Sequence, residues 1–215
     1  MKKLLLLSVL AVLIISSCRK KDHAVSTTVT ASYPTITFTN GQFFSIPVGG
    51  LRPTIIATAY DSFYKEIDNV LVVDSTVNNL VPGFYVGKAW AKNHYGLVGS
   101  AYYFVAVTNV SDSMNLSGHW LQVMFNDSTA TDIHKITRGI YSTSNLLGVN
   151  FILDPADYMS GYFAVLNDTT IAFDPLTVAS GNVTAATGAL TLTPTAGDTT
   201  ITYGVSGGPV SFFKH

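Results

Sequence analysis

Short apolar runs separated by turn residues recur along the chain from residue 33 onward. Within them, hydrophobic and polar side chains alternate with the two-residue period of a half-buried β-strand. No segment shows a long apolar repeat with the 3.6-residue period of a helix. Candidate strands cover residues 35–38, 43–46, 55–60, 70–73, 84–91, 101–107, 120–125, 133–137, 140–143, 149–153, 162–166, 170–173, 189–193, 199–203 and 210–213.

Turn residues punctuate these runs and predict how the strands connect. Asn40-Gly41 lies between the first two runs, and this pair favours a tight β-hairpin. Asn93 to Gly96 lies between residues 84–91 and 101–107, where Gly96 would supply the positive φ of a turn. In the second half the runs follow one another at intervals near ten residues, which is typical of a closed or sandwiched antiparallel sheet.

The composition agrees with an all-β protein. Thr, Ser, Val, Tyr and Phe are abundant, whereas Glu66 is the only glutamate. Residues that suit a pleated surface therefore outnumber strong helix formers. We expect two β domains, at residues 32–108 and 118–215, joined by a polar linker at residues 109–117. Both tryptophans, Trp90 and Trp120, are expected in the core, where most aromatic side chains of a small β domain lie.

The amino-terminal segment has the organisation of a secretory signal. Lys2 and Lys3 precede an apolar run over residues 4–15, and small residues follow. A membrane-spanning helix needs about 20 apolar residues, so this run is too short to be one. We expect a signal peptide over residues 1–17 and a flexible tether over residues 18–31, which is polar and contains no aromatic residue.

The end of the signal, Ile15-Ser16-Ser17-Cys18, resembles the lipobox of bacterial lipoproteins. The resemblance implies that Cys18 is lipidated and becomes the mature amino terminus, with a plain secreted protein as the alternative. Cys18 is the only cysteine, so lipidation would leave no thiol for a disulfide or a zinc site. The resemblance also implies attachment to the outer membrane. Display at the cell surface and at the periplasmic face both remain open.

Residues 33–108 resemble bacterial Ig-like domains. The resemblance lies in the segments 82–86 (Pro-Gly-Phe-Tyr-Val), 93–96 (Asn-His-Tyr-Gly) and 103–107, which look like the last two strands of those domains. Phe84 stands where the family usually has threonine. The resemblance implies an amino-terminal Ig-like β-sandwich. It implies no ligand, because sandwiches of this kind host many functions.

The order of segments is similar to that of surface lipoproteins of the Bacteroidota, which are often linked to glycan-uptake loci. The similarity includes a lipidated cysteine, one Ig-like domain, residues 116–120 (Leu-Ser-Gly-His-Trp) and a Lys-Ile…Gly-Ile-Tyr motif at residues 135–141. It implies a second, β-rich domain for which no activity is established.

Several classes of chemistry are disfavoured by the sequence. The net charge is −1 and no basic cluster occurs in the domains, so we expect no nucleic-acid binding. No Gly-x-Ser-x-Gly elbow or triad context is present, and we expect no enzyme, cofactor or metal. Asp132 and His134 share a strand face, with His119 nearby in sequence, but a solvent-facing polar face explains them without a metal. An Asp-dependent glycoside hydrolase is the remaining catalytic alternative, with Asp127, Asp154, Asp157, Asp168 and Asp174 as carboxylates.

Tyrosines at strand ends and loops are the candidate ligand contacts. Sugar rings stack on exposed aromatic faces while polar neighbours bind their hydroxyls. We therefore expect a non-enzymatic, lipid-anchored binding module, with glycans as candidate ligands. A structural or assembly component that packs against another envelope protein is the alternative. The candidate contacts are Tyr60, Tyr64, Tyr95, Tyr158 and Tyr162.

A motif of aspartate, a hydroxyl residue and a small or apolar residue recurs along the chain. It resembles the O-glycosylation motif of exported Bacteroidota proteins, although Asp-Ser and Asp-Thr are also ordinary turn dipeptides. The resemblance implies five candidate attachment sites, namely Ser75, Ser113, Ser128, Thr169 and Thr199.

Overall fold

The structure is a computed structural model. It describes residues 32–63, 65–73, 77–122, 129–148, 159–176, 187–192, 199–205 and 208–214. The described residues include no helix with the length and hydropathy needed to cross a bilayer. The candidate strand at residues 149–153 lies outside the described residues.

The protein is all-β, as predicted, with a sandwich followed by an antiparallel barrel. The strands are β1 (Thr35–Phe38), β2 (Phe43–Ile46), β3 (Ala57–Asp61), β4 (Lys65–Ile67), β5 (Val70–Val73), β6 (Gly83–Lys92), β7 (Val98–Val107), β8 (Gly118–Gln122), β9 (Thr129–Thr137), β10 (Ile140–Thr143), β11 (Gly161–Asn167), β12 (Thr170–Phe173), β13 (Thr187–Leu192), β14 (Thr199–Val205) and β15 (Gly208–Lys214).

The sandwich consists of a three-stranded sheet, β1-β3-β4, and a four-stranded sheet, β2-β7-β6-β5. Strand β2 pairs with β7 in parallel, and the other pairs are antiparallel. The two sheets bury one apolar core between them. Its members include Ile36, Phe38 and Ala59 from the first sheet and Ala89, Tyr103 and Val105 from the second.

The hairpin predicted at Asn40-Gly41 is wrong. The turn forms, with Gly41 at φ +88° and its N–H donating to the Phe38 carbonyl at 3.4 Å. However, β1 pairs with β3 and β2 pairs with β7, so the chain crosses from one sheet to the other at this turn. Phe38 and Ile46 thereby point into the same core from opposite sheets. Burial on both sides of the core decides the pairing here, whereas the dipeptide decides only the local bend.

The turn between β6 and β7 is confirmed. The two strands pair in register from Gly83–Val107 to Lys92–Val98, and Gly96 has φ +85°. The prediction that Trp90 lies in the core is wrong. Ala89 and Ala91 face the core, so the alternation of the strand places Trp90 on the outer face of the sheet, where it is half-buried.

The second half of the chain forms a closed eight-stranded barrel in which each strand pairs with its neighbours in sequence. The barrel closes where β15 pairs with β8, through Phe212 opposite Gln122 and Phe213 opposite Leu121. Closure leaves this sheet without an open edge that could pair with another chain.

The barrel interior is filled by side chains. Trp120, Tyr141 and Phe212 are almost completely buried in one cluster that receives residues from every strand. The indole N–H of Trp120 donates to the Leu116 carbonyl at 2.9 Å. A cavity of about 10 Å³ remains among the described side chains, which is room for roughly one water molecule. Small barrels of this strand number either pack solid or hold one ligand inside. This one packs solid in its described part, so the described interior leaves no room for a ligand.

Tyr203 leads to a prediction about alkaline stability. Its hydroxyl donates to the Leu146 carbonyl, and burial raises its pKa above the ordinary value of 10.0. Because the folded-state pKa is raised, the stabilisation is complete below pH 10 and is lost as the pH rises above it. Above pH 10 this tyrosine ionises in the unfolded chain but not in the folded one. We expect this difference to lower the free energy of unfolding by about 1.4 kcal/mol per pH unit.

Tyr203→Phe tests this expectation by denaturant unfolding at pH 7 and between pH 10 and 12. At pH 7 the variant is expected to lose about 1–3 kcal/mol, because the buried Leu146 carbonyl loses its donor. Above pH 10 its decline is expected to be shallower than that of the wild type. Equal slopes for the two proteins would contradict a titrating Tyr203.

The sandwich and the barrel pack directly against each other. Phe84, Phe104 and Ala106 on the outer face of the four-stranded sheet form one buried cluster with Ile140 and Ala164 of the barrel. The hydroxyl of Thr108 donates to the carbonyls of Val165 at 2.7 Å and Leu166 at 3.0 Å.

Residues 109–117, for which a linker is predicted, contribute to the barrel core. Val110 and Leu116 belong to the main cluster of that core, and Met114 packs against it. Tyr141 donates a hydrogen bond to the Met114 carbonyl at 2.9 Å. This segment is therefore held along its length by apolar packing and by hydrogen bonds.

Candidate functional site

A polar groove lies on the outer surface of the barrel, across β9, β10 and β11. Side chains alternate along each strand, so the residues next to the buried Ile133, Tyr141 and Phe163 point outward. Ser142 pairs in register with His134 on one side and with Tyr162 on the other. The groove, called the hydroxyl groove below, has a volume of about 250 Å³ and is lined by Asp132, His134, Ser142, Thr143, Ser144, Ser160, Gly161 and Tyr162.

Tyr162 forms the aromatic side of the hydroxyl groove and is held by the sandwich. Its ring centroid lies 4.9 Å from that of Phe43 and 5.4 Å from that of Phe104. Its backbone N–H points to the buried carboxylate of Asp174 at 3.4 Å. Packing against these two rings fixes the position of the half-buried Tyr162 ring at the junction of the sandwich and the barrel.

Asp132 is the carboxylate of the groove, and His119 orients it. His119 Nδ1 lies 2.9 Å from Asp132 Oδ1, and both side chains are more than half exposed. The Asp132 backbone N–H donates to the Ser144 hydroxyl at 2.9 Å. An exposed pair of this kind adds little to stability, and its contact brings the imidazole next to the carboxylate.

The lining suits a small ligand that is rich in hydroxyl groups. Carboxylate, imidazole and serine hydroxyl groups offer several hydrogen-bond donors and acceptors, and Tyr162 offers a ring. The volume is below the range of about 300–1,000 Å³ that is common for drug-sized ligands. A single sugar ring matches this combination of size, polarity and one aromatic neighbour.

The described residues contain no cluster of three or more metal-ligating side chains. Every buried side-chain nitrogen or oxygen in the described part of the chain has a hydrogen-bond partner. The described site therefore offers no orphaned polar atom that would indicate a missing ion. The pair Asp132 and His134, together with His119, lies on a solvent-facing surface.

The structure places the predicted tyrosines in two different regions. Tyr162 lines the hydroxyl groove, whereas Tyr60 and Tyr95 lie on the sandwich, both more than half exposed. Tyr64 and Tyr158 lie outside the described residues, as does Cys18. The pattern of the sequence did not single out Ser142, Ser144 and Ser160. These serines lie on or next to β10 and β11 at positions whose side chains point outward. Such positions can be recognised only once the neighbouring strands are known.

Three of the five candidate glycosylation residues are described. Ser113 and Thr169 are exposed in turns, and Thr199 begins β14 with partial exposure. Thr169 donates to the Asn167 side chain through both its N–H and its hydroxyl. Ser75 and Ser128 lie outside the described residues.

The carboxylates considered for glycoside hydrolysis do not meet in the described part of the chain. Asp168 is exposed in the turn before β12, whereas Asp174 is buried behind Tyr162. Among the described residues that line the hydroxyl groove, Asp132 is the only carboxylate. Asp127, Asp154 and Asp157 lie outside the described residues.

No protein-family model matches the chain, and no curated protein matches it either. Among solved structures, the chain is similar to the lipoprotein BT2262 from Bacteroides thetaiotaomicron. The two are 19% identical with a TM-score of 0.39, over 84% of this chain and 98% of that chain. This degree of likeness assigns neither a family nor a function to the chain.

Proposed function

We propose that the chain is a lipid-anchored protein of the bacterial outer membrane that binds a carbohydrate in the hydroxyl groove without catalysing a reaction. The observation that carries the proposal is the groove itself. It is an open pocket of about 250 Å³ that joins one tyrosine ring to a carboxylate, an imidazole and several hydroxyls. The solid interior of the barrel supports an external site, and the lipobox-like segment ending at Cys18 supports the anchor.

Binding of this kind needs a polar group that accepts hydrogen bonds from sugar hydroxyls. Asp132 meets this need because His119 already holds one of its oxygens, which leaves the rest of the carboxylate for a ligand. A carboxylate that receives two hydroxyl groups forms charge-assisted hydrogen bonds, which are stronger than neutral ones. Stacking on the Tyr162 ring would add an apolar contact to the other face of the sugar.

Asp132→Asn is expected to weaken glycan binding at least tenfold, because the charge-assisted bonds contribute about 1.5–3 kcal/mol. The experiment uses the mature chain carrying Cys18→Ala, screened on an array of plant, host and microbial glycans and then titrated by calorimetry. Asp168→Asn is the matched control, since Asp168 is exposed in a turn and does not line the groove.

Tyr162→Phe separates recognition by the hydroxyl from packing, because the ring contacts with Phe43 and Phe104 remain. The absence of binding across the array, or equal affinities for Asp132→Asn and the control, would contradict a carbohydrate site in the groove.

Strand β5 favours a second candidate function, that of an assembly component. It is an edge strand of the four-stranded sheet, and Leu71, Val72 and Val73 are exposed on it. An uncharged edge strand can pair with a strand of another envelope protein. Asp132→Asn distinguishes the two functions, because it changes a residue that lines the groove and leaves strand pairing at β5 intact.

A further inference from the structure

One buried carboxylate connects three segments at the end of the sandwich where the described chain begins. These are the chain entry, the β3–β4 turn and the β6–β7 turn. Asp61 is fully buried. It accepts hydrogen bonds from the Ser32 hydroxyl at 3.1 Å and from the Asn93 side-chain amide at 3.0 Å. The same amide donates to the Ser32 carbonyl at 2.9 Å. The chain entry, the β3–β4 turn and the β6–β7 turn therefore hold fixed positions relative to one another.

Each of these segments displays an exposed aromatic side chain next to the network. Tyr33 follows Ser32 and is 67% exposed, while Phe63 and Tyr95 are 55% and 56% exposed. The N–H of Phe63 donates to Asp61 Oδ1 at 2.8 Å, and that of Tyr95 donates to Asn93 Oδ1 at 3.0 Å. Tyr33, Phe63 and Tyr95 are called the aromatic tip below. Exposed apolar side chains that form one patch mark a contact surface, whereas singly scattered ones do not.

Two exposed lysines flank the aromatic tip. Lys65 pairs in register with Asp61, and Lys92 immediately precedes Asn93. Lys65 has φ +68°, a backbone conformation that costs a non-glycine residue free energy. The Asp61 carboxylate is buried, so it presents no charge to solvent at this end. The carboxylate of Asp68 is exposed beyond the end of β4, and the side chain of Glu66, next to Lys65, lies outside the described side chains. Among the described side chains, the surface around the tip thus combines three aromatic rings with two lysines.

We propose that the aromatic tip, with Lys65 and Lys92, docks onto an anionic lipid bilayer. This inference rests on the lipid anchor of the proposed function and adds a second contact with the membrane. The chain that leads from Cys18 enters the sandwich at this end, and residues 19–31 can span at most about 45 Å. That segment begins with Arg19, Lys20 and Lys21, which have the charge that anionic headgroups attract.

The chemistry of the tip matches the membrane–water interface. Tyrosine is enriched there because its ring enters the apolar layer while its hydroxyl stays hydrated. A lysine near an anionic surface contributes about 1 kcal/mol, or roughly a fivefold gain in affinity.

Docking by the tip also places the barrel away from the bilayer. Strand β7 runs from Val98 beside the tip to Phe104, whose ring contacts Tyr162 of the barrel. This part of the strand corresponds to about 20 Å. The hydroxyl groove would then face the aqueous phase at that distance from the membrane.

The test measures vesicle binding of the mature chain carrying Cys18→Ala, so the acyl anchor contributes nothing to the result. Cosedimentation is measured with vesicles of phosphatidylethanolamine and phosphatidylglycerol at 3:1, and with phosphatidylcholine alone. The unlipidated protein is expected to bind the anionic vesicles and to bind phosphatidylcholine at least tenfold more weakly. The triple change Tyr33→Ser, Phe63→Ser and Tyr95→Ser is expected to reduce binding to anionic vesicles at least tenfold.

A matched triple change of exposed apolar residues away from the tip, Leu80→Ser, Tyr102→Ser and Ile136→Ser, is expected to leave binding unchanged. The pair Lys65→Gln and Lys92→Gln is expected to weaken binding about 25-fold at low salt. Melting temperatures within 2 °C or so of the wild type would show that each variant is folded.

Failure of the wild-type chain to bind anionic vesicles, or equal loss in the tip and control variants, would overturn the proposal. Neither result affects glycan binding by the groove or membrane attachment through Cys18, which are measured separately.

Discussion

Replacing Cys18 with alanine is expected to move the protein from the membrane fraction to the soluble fraction of the cell envelope. Cys18 is the only thiol in the chain, so no second residue could carry a thioether-linked lipid. Each buried methylene group of an acyl chain contributes about 0.8 kcal/mol to membrane binding, and loss of the acyl group removes this term completely. The expected change in partition between the two fractions is therefore larger than for any other substitution considered.

The measurement is fractionation of cells that express each variant, together with the intact mass of the purified protein. Ser17→Ala is the matched control, because alanine keeps a small residue before Cys18 and the lipid should still be attached. The wild type and the control should share a mass increment that Cys18→Ala lacks. A Cys18→Ala protein with unchanged mass and unchanged membrane association would contradict the lipoprotein assignment.

Replacing Trp120 with alanine is expected to have the largest effect on stability. Trp120 is completely buried among the side chains that fill the barrel, and its indole donates to the Leu116 carbonyl. Removal of a buried tryptophan leaves a cavity and costs about 3–5 kcal/mol. For a chain of this size, such a loss lowers the melting temperature by roughly 6–20 °C.

Trp90→Ala is a matched control for this prediction, because it removes the same atoms from the only other tryptophan. Trp90 is half-buried on the outer face of the sandwich, so its loss opens no closed cavity. Thermal unfolding followed by circular dichroism compares the two variants. If Trp90→Ala destabilised the protein as much as Trp120→Ala, the filled interior of the barrel would not be its main source of stability.

The positions of the strands were predictable from alternation, but their partners were not. Residues 35–38, 43–46 and 70–73 are strands in the structure as predicted, because the pattern reports which side chains are buried. The pairing of β2 with β7 joins residues about 60 positions apart, and a local pattern carries no information about it. Strand β4 was not predicted, because it is short and polar and forms through backbone pairing with β3.

The same distinction explains the candidate site. Three residues of the groove were singled out in the sequence. Asp132 and His134 were predicted to share the polar face of a strand, and Tyr162 was predicted as an aromatic residue at a strand end or loop. Their convergence depends on β10, which lies between β9 and β11 and places Ser142 beside both His134 and Tyr162. Trp90 was assigned to the wrong face because bulk alone was taken to indicate the core. Its neighbours Ala89 and Ala91 leave the space that Tyr103 and other large residues fill.

The pairing of β15 with β8 has a consequence for biosynthesis. The two strands meet through residues about 90 positions apart, near opposite ends of the barrel sequence. The ring of strands cannot be completed until β15 has been synthesised, so this half of the protein reaches its final state late. Contacts between such distant residues slow folding. Until these contacts form, strands β8 and β14 present open edges. A newly made chain therefore has a period in which chaperones and proteases can reach these edges.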